Sequence, residues 1–357
     1  MTGKRSDLPL VAVVTPVFNG APWLERTLAC VQRQTYRNIV HVILDNASTD
    51  ESPRLIDRAR AGPVPIIARR NPQTLRQTEN WNAAMALAPP EAAYVKWLCA
   101  DDLMAPDCIE KMVRLAESDS EIDLVMAVDI VDHLAKGDRL DAPRGVYDGP
   151  EIARMLLTDR LRHLPAAHMF FRATPERLRA PFDASTVPAM DADFVVRDLL
   201  NRKVGYIFEP LLFSRVTPAT ETAKRGGFRA SILPGLSRLT RYGPRLLSES
   251  EFKAAKRRER RKLTRHALAW KAARDENADR ALEMLRAEGF MPGPIDYAVA
   301  VASWPAHKVR RELARFGAGP PWSTRAMTER DFLDEAQTPD GPEGPPPPPR
   351  SKAAATA

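Results

Sequence analysis

Leu10-Val-Ala-Val-Val14 runs directly into Thr15-Pro16-Val17-Phe18-Asn19-Gly20, and the reading of the chain turns on that stretch. Five apolar residues, three of them valine, closed by Thr-Pro, predict a short strand covered on both faces. The Asn19-Gly20 turn then leads into a helix, because Leu24, Leu28 and Val31 recur at helical spacing across residues 23–34. The alternation repeats downstream. Residues 40–44 form a second strand ending at Asp45, and Ser48, Thr49, Asp50 and Glu51 offer caps for a helix reaching Arg60. A third strand covers residues 64–68 and a helix residues 79–87. A fourth strand over residues 94–99 ends at Asp101-Asp102. Pro106 opens a helix to about Glu117, and residues 123–128 form a fifth strand. Strands alternating with helices predict an α/β fold with a doubly wound, mostly parallel sheet. In such sheets ligands sit beyond the carboxyl ends of the strands, where strand order reverses, and Asp45, Asp101 and Asp102 all fall at such ends.

The second half is mixed. Helices are expected over residues 149–157 and 191–201, the latter with Phe194, Val195 and Leu199 inward, and strands over 167–172, 204–208 and 211–213. After about residue 225 an Arg- and Lys-rich helix over 252–287 and another over 294–316 are expected. From about residue 337 the Pro-rich composition predicts disorder. The expected organisation is one domain over 8–225, with a nucleotide-binding half to about 130 and a second half from 131. A basic helical region follows over 226–335, then a tail over 336–357.

The 357 residues are 44% hydrophobic and 28% charged, a globular mixture that excludes a collagenous or wholly disordered chain. The net charge of +7 is local: residues 253–265 alone hold eight Lys or Arg against Glu259. A uniformly basic nucleic-acid binder is therefore disfavoured, and one basic element on a neutral body is favoured. Three cysteines, Cys30, Cys99 and Cys108, with no Cys-x-x-Cys, argue against a disulfide framework or zinc site. The longest apolar runs fall well short of a membrane span, and the first seven residues are polar, so a cytoplasmic location is expected.

Two adjacent carboxylates, Asp101-Asp102, repel unless a cation sits beside them. Mg²⁺ or Mn²⁺, which favour oxygen ligands, suit such a pair, and a plain helix N-cap is the competing reading. Asp45-Asn46 could hydrogen-bond a nucleotide base or ribose, or only make a turn. No Gly-x-Gly-x-x-Gly and no Gly-Lys-Ser/Thr loop follows the first strand, which disfavours a dinucleotide fold and a P-loop.

Taken in order, Val13-Val-Thr-Pro-Val-Phe-Asn-Gly20, the segment ending Gln34-Thr35-Tyr36, Leu44-Asp-Asn-Ala-Ser-Thr-Asp50 and Trp97-Leu-Cys-Ala-Asp-Asp102 resemble the N-terminal half of a family 2 glycosyltransferase with the GT-A fold. The resemblance covers about residues 8–217. It implies that the loop of Thr15, Pro16, Phe18 and Asn19, with Phe18 in place of the family's Tyr, lines a nucleotide pocket, and that Asp45 contacts the base. It implies that Asp101 and Asp102 stand where the family's Asp-x-Asp motif binds ribose, metal and diphosphate, Cys99 replacing the usual first Asp. Which of the two takes which role stays open. Met190-Asp-Ala-Asp-Phe-Val-Val-Arg197 matches the family's Glu-Asp…Arg segment, making Asp191 the general base, Met190 the replacement for the Glu, and Asp193 a nearby competitor. Phe213-Ser-Arg-Val-Thr217 matches a Tyr-Arg-x-His segment, with Arg215 toward the diphosphate and Thr217 in place of His.

What this implies is transfer of a sugar from a nucleoside-diphosphate sugar to an acceptor hydroxyl, inverting and assisted by Mn²⁺ or Mg²⁺, with a glycan or lipid-linked acceptor of the kind used in cell-surface polysaccharide synthesis. The alternative is an inactive GT-A-like binding or scaffold subunit, since Cys99, Met190 and Thr217 depart from family habit. His168, beside Phe170 and Phe171, reads as a core residue. Cys99 reads as a strand-end thiol kept protonated by the neighbouring carboxylates. The basic stretch, with Lys253, Lys256, Arg257, Arg260 and Arg261 opposite Phe252, Leu263, Ala267 and Trp270, suggests either a solvated helix or peripheral contact with an anionic membrane.

Overall fold

A computed structural model describes residues 8–131, 134–136, 140, 144–161, 165–186, 189–215, 232–302 and 328–333. Thr217 and the 336–357 tail lie outside the described residues. The first strand, β1 (Val11–Val17), is buried along its whole length, as its apolar run requires. It pairs in parallel with β2 (Ile39–Asp45) on one side and β4 (Tyr94–Trp97) on the other, and β2 pairs in parallel with β3 (Ile66–Arg70). The order β3-β2-β1-β4 means that the chain builds outward from β1 and then crosses back to its other edge. That reversal creates a crevice between the loops that leave β1 and β4. Helices α1 (Ala21–Gln32), α2 (Ser52–Ala59) and α3 (Gln77–Met85) make the connections.

Beyond β4 the sheet becomes mixed. The described strands continue as β9 (Phe170–Arg172), β6 (Ile122–Val131), β10 (Lys203–Ser214) and β5 (Leu103–Met104). β9 is antiparallel to both β4 and β6, so it fills the gap between two strands that run the same way. β7 (Leu134–Lys136) and β8 (Val146–Asp148) add antiparallel pairs at β6 and β10. The expected pair of strands over 204–208 and 211–213 is one strand, β10, whose register against β6 shifts between Ile207 and Leu212. Pro210 explains the irregularity: it lacks the N–H that a regular ladder needs. α4 (Cys108–Glu117) covers one face together with α1. α5 (Gly149–Leu157), α6 (Pro175–Arg179) and α7 (Met190–Leu199) lie in the second half. α5 starts so close to the end of α7 that a Cβ on Gly149 would sit 2.2 Å from the Leu199 carbonyl oxygen.

The basic region is not a separate lobe. α8 (Pro234–Leu246) and α9 (Glu249–Ala272) send Leu239, Tyr242 and Ala255 into the core that holds Val14, Trp97 and Phe194. Leu263, Ala267 and Trp270 of α9 close a smaller core with α10 (Asn277–Ala287). α9 starts earlier than expected because Ser248 and Glu251 form a reciprocal capping box. The single helix expected over 252–287 is broken: Arg274 takes φ 54°, and the Asp275 carboxylate accepts the Asn277 N–H at 2.9 Å to start α10. α11 (Pro294–Ala302) is described only to Ala302, so the rest of the expected 294–316 helix lies outside the described residues. Among the described residues no helix is long and apolar enough to cross a membrane.

Candidate active site

The loop leaving β1 is tied to the loop leaving β2. Asn19 sits at φ 48°, which an Asn tolerates better than most side chains. Its N–H donates to Ser48 Oγ at 2.9 Å, and its own Oδ1 accepts the Thr49 N–H at 2.8 Å. Gly20 N–H donates to Ser52 Oγ at 2.9 Å. The Asp50 carboxylate accepts from Ala21 N–H and Ser52 N–H at 2.9 and 3.0 Å, joining the first turns of α1 and α2. Thr15 is buried within β1, its hydroxyl 3.0 Å from His41 Nε2, and Pro16 is buried beside it. Phe18, by contrast, is 47% exposed at the crevice end of β1.

Asp45 is buried at the end of β2. One carboxylate oxygen accepts the Ser48 N–H at 3.0 Å and the other is paired with Arg70 at the end of β3. Asn46 is fixed as well: it bridges the Leu75 backbone at 2.9 Å in both directions and accepts from Asn71 Nδ2 at 2.9 Å.

After β4 the chain turns through Cys99-Ala-Asp-Asp102 against α1. Thr27 Oγ1 lies 3.0 Å from both the Ala100 and Asp102 carbonyl oxygens. Asp101 is half-buried and Asp102 fully so. Burial pushes the Asp101 carboxyl above its ordinary range. Burial and then the charge of Asp101 push Asp102 up further. Burial, followed by the charges of Asp102, Asp101 and Asp191, holds the Cys99 thiol well above its usual value. Three carboxylates from two separate elements therefore act on one thiol, which agrees with Cys99 as a protonated strand-end residue.

Behind this acidic pair lies a polar group buried in the sheet. Asp102 Oδ1 accepts the Arg215 N–H at 2.9 Å and Oδ2 lies 3.4 Å from His168 Nε2. His168 Nε2 is 3.0 Å from Ser214 Oγ, which donates to Asp129 Oδ2 at 2.8 Å. Lys96, fully buried on β4, donates from Nζ to the His168 carbonyl at 2.5 Å. Burial lowers its ammonium pKa, and the nearby Cys108, Asp129 and Asp102 act against that.

Across the crevice stands the first turn of α7. Asp193 is buried and held by the Tyr242 hydroxyl at 3.1 and 3.2 Å, with Arg241 Nη1 at 3.4 Å. Asp191 is only half-buried and accepts the Ala192 N–H at 2.8 Å. Met190 is buried, with its Sδ 3.1 Å from Thr78 Oγ1. Arg238 on α8 has a buried Nε with no hydrogen-bond partner among the described residues. Burial lowers its pKa, while Asp193 and then Asp191 act against that.

Arg215 follows β10. Its Nε donates to the Asp101 carbonyl at 3.1 Å, and its guanidinium lies 4.0 Å from the Trp23 ring centroid. Both of its terminal nitrogens donate to the Glu329 carboxylate, Nη1 at 2.7 Å. Arg26 Nη1 reaches the same carboxylate at 2.9 Å. Phe332 is buried against Phe213, their rings 5.6 Å apart, so residues 328–333 lie alongside the crevice.

This architecture has solved counterparts. A mannosyltransferase from Pyrobaculum calidifontis, solved with GDP-Man and Mn²⁺, superposes with a TM-score of 0.51 at 19% identity, covering 87% of this chain and 83% of that one. The profile described as "Glycosyl transferase family 2" matches residues 12–173, a span containing the β1, β2 and β4 loops just described. Residues 12–173 belong to glycosyltransferase family 2. Curated relatives agree. An uncharacterized glycosyltransferase of Methanocaldococcus jannaschii is 26% identical over 220 residues, 60% of this chain and 73% of that one. The glycosyltransferase GlyG of Streptococcus pneumoniae is 25% identical over 116 residues, 32% of this chain and 37% of its own. The GT-A fold expected from the motifs is thus the observed one.

The structure brings Asp101, Asp102 and Arg215 into contact, with Asp191 in their electrostatic neighbourhood. Asn19 and Asp45 lie on neighbouring, interlocked loops. Sequence reasoning did not single out Lys96, Asp129, Ser214, Arg238 or Glu329; His168, weighed as an acceptor contact or a core residue, is fully buried, as the core reading expects. One signal was available: a lysine inside the otherwise apolar strand Tyr-Val-Lys-Trp. Such a residue is buried only with partners.

Proposed function

We propose that this family 2 glycosyltransferase moves a sugar from a nucleoside-diphosphate donor to an acceptor hydroxyl with inversion, assisted by Mn²⁺ or Mg²⁺. The observation that carries the proposal is the pair Asp101-Asp102 after β4, at the strand-order reversal and bound to Arg215, with Asp191 near enough to act on the same Cys99 thiol. Phe18 and Asn19 would border the nucleotide, with Thr15 and Pro16 as the buried floor and Asp45 toward the base.

Burial raises both carboxyls and Arg215 beside them acts against that, while Glu329 takes up much of the Arg215 charge, so a divalent cation fits beside the pair. Among the described residues no group of three or more His, Cys, Asp or Glu side chains forms a complete cage. Asp101 and Asp102 would therefore share the ion with donor phosphates, as Mg²⁺ sites commonly do. Such an ion supplies charge stabilisation for the departing diphosphate. Asp191 accepts the acceptor's hydroxyl proton while the new C–O bond forms at the anomeric carbon, opposite the bond that breaks toward the diphosphate. Asp193 suits this role less, because its carboxylate is already held by Tyr242 and Arg241. Arg215, engaged by Glu329, offers the diphosphate only part of its charge.

The acceptor we favour is a glycan or lipid-linked glycan. The basic helix would then touch an anionic leaflet through a narrower stripe than the sequence suggests. Lys256 and Arg260 turn toward Glu288, whereas Lys253, Arg257 and Arg261 are exposed one turn apart. The test is release of nucleoside diphosphate from a panel of UDP- and GDP-sugars with saccharide and polyprenyl-phosphate-linked acceptors. Acceptor-dependent release is expected. Binding of donor with no transfer across the panel would instead favour the scaffold reading that Cys99 and Met190 suggest.

A further inference from the structure

The family reading leaves open how the two adjacent carboxylates divide their work and what keeps a buried carboxylate correctly aimed. Asp102 is held at Oδ1 and flanked at Oδ2. The Arg215 N–H fixes Oδ1 at 2.9 Å, and His168 Nε2 stands 3.4 Å from Oδ2. The protons can be assigned by counting donors. The Ser214 hydroxyl has one hydrogen, and it is directed to Asp129 Oδ2 at 2.8 Å. Ser214 Oγ, 3.0 Å from His168 Nε2, must then accept from it, so Nε2 carries the proton and lies with Asp102 on its flank.

Every member of this chain sits on sheet strands or directly against them. Asp129 belongs to β6 and Ser214 to β10, where the register sets Asp129 opposite Leu212 and Ser214 opposite Val131. His168 ends the short turn Ala166–His168 that feeds β9, and Lys96 Nζ on β4 pins that turn through the His168 carbonyl. The relay therefore spans the neighbouring strands β4, β9, β6 and β10. His168, Asp129 and Lys96 are all buried. Apolar side chains at these places would avoid the desolvation cost of charges and imidazole, so packing alone does not account for them. Asp102 joins this chain of contacts to the loop after β4 that carries Asp101.

We propose that His168, backed by Ser214 and Asp129, is a positioning residue that fixes the direction in which the Asp102 carboxylate faces the crevice. The inference rests on the reading that the Asp101–Asp102 pair receives a nucleoside diphosphate with its cation. Partners of this kind behind a metal-binding group are worth about 10- to 100-fold in metal affinity. Asp101, whose carboxylate has no such histidine behind it among the described residues, would be the more adjustable of the two carboxylates.

The experiment is calorimetric titration of the full chain with UDP and with GDP in the presence of Mn²⁺, alongside urea unfolding, for wild type, His168→Phe, His168→Gln, Ser214→Ala and Asp102→Asn. His168→Phe should weaken nucleotide–Mn²⁺ binding by about tenfold or more. His168→Gln, which keeps an N–H donor in the same place, should stay within about threefold of wild type, and Ser214→Ala should fall between them. Adding His168→Phe to Asp102→Asn should cost nothing further, because the relay acts through Asp102. A merely structural histidine would lower the urea midpoint in the Phe and Gln variants without separating their affinities. Wild-type affinity in folded His168→Phe, or equal losses in the Phe and Gln variants, would overturn the inference while leaving the donor reading standing. Failure of the wild type to bind either nucleotide with Mn²⁺ would remove both.

Discussion

Along β1, β2 and β4, the polar groups of the crevice follow within a few residues of a strand end, and the loops that carry them are laced by Asn19, Ser48, Asp50 and Ser52. On the α7 side the contacts join distant parts of the chain. Tyr242 reaches back 49 residues to Asp193, and Arg241 reaches back 58 residues to Asp183. The first region is a set of local turns placed by a sheet, and its chemistry depends on loop geometry. The second is assembled by tertiary packing, so individual carboxylates there differ sharply in what they are free to do. Asp191 and Asp193, two residues apart on one helix turn, are the clearest case: one is half-exposed, and the other is buried against Tyr242 of α8.

That contrast can be broken most forcefully at α7. Asp191→Asn should lower turnover by about 10²-fold or more while leaving donor affinity nearly unchanged. Asp193→Asn should instead lower stability by about 1–3 kcal/mol, because the buried Tyr242 hydroxyl and the exposed Arg241 lose a charged acceptor. Its folded fraction should keep turnover within a few-fold. Steady-state kinetics and urea unfolding on both variants check this, and a reversed pattern would move the base to Asp193.

The strand region should show itself through pH. His41 on β2 is buried, and burial pushes its pKa down to about 3. Between that value and the ordinary 6.5 the unfolded chain binds the proton and the folded chain does not. Stability from this group is therefore complete above about pH 6.5 and is lost as pH falls. At pH 5 the loss amounts to about 2 kcal/mol. Urea unfolding at pH 7 and pH 5 should show this drop in wild type and a smaller one in His41→Gln. Equal drops would mean that His41 titrates normally.

Smaller effects are expected where the C-terminal segment touches the crevice. Glu329→Gln removes the shared carboxylate of Arg215, which is largely buried, and of Arg26, which is partly solvated. Local opening of residues 328–333 should become easier by about 1 kcal/mol, or roughly fivefold faster limited proteolysis there. No change in cleavage would mean that Phe332 alone holds the segment. Smallest is the exposed stripe of α9: changing Lys253, Arg257 and Arg261 to Gln should alter stability by no more than about 0.5 kcal/mol. If the membrane contact is real, the same change should reduce salt-sensitive sedimentation with anionic vesicles, each basic residue being worth about 1 kcal/mol near such a surface. Unchanged vesicle binding would place any membrane contact elsewhere.

The parallel strands β1, β2 and β4 and the GT-A fold were legible because buried parallel strands are written as short apolar runs, and the loops after them as Asn, Asp and Ser at fixed offsets. Less legible was the antiparallel insertion of β9, since three residues, Phe-Phe-Arg, carry no direction of pairing. The break at Arg274 was missed because neither Gly nor Pro marks it; an arginine holds the positive φ. The polar relay behind Asp102 was hidden for another reason. Lys96, Asp129, His168 and Ser214 are isolated polar letters in apolar surroundings, and only strand register brings them together. Glu329 gave no signal at all, since nothing in its own neighbourhood points to Arg215.

The central claim is that the crevice between the β1 and β4 loops binds a nucleoside diphosphate through a cation held by Asp101 and Asp102. Calorimetric titration of the full chain with UDP-sugars and GDP-sugars, with Mn²⁺ and again with excess chelator, tests it most directly. The account predicts saturable binding of one donor class per chain that disappears with the chelator and in folded Asp101→Asn/Asp102→Asn protein. Undiminished metal-dependent binding in that double variant, or no binding of any donor by the wild type, would contradict it.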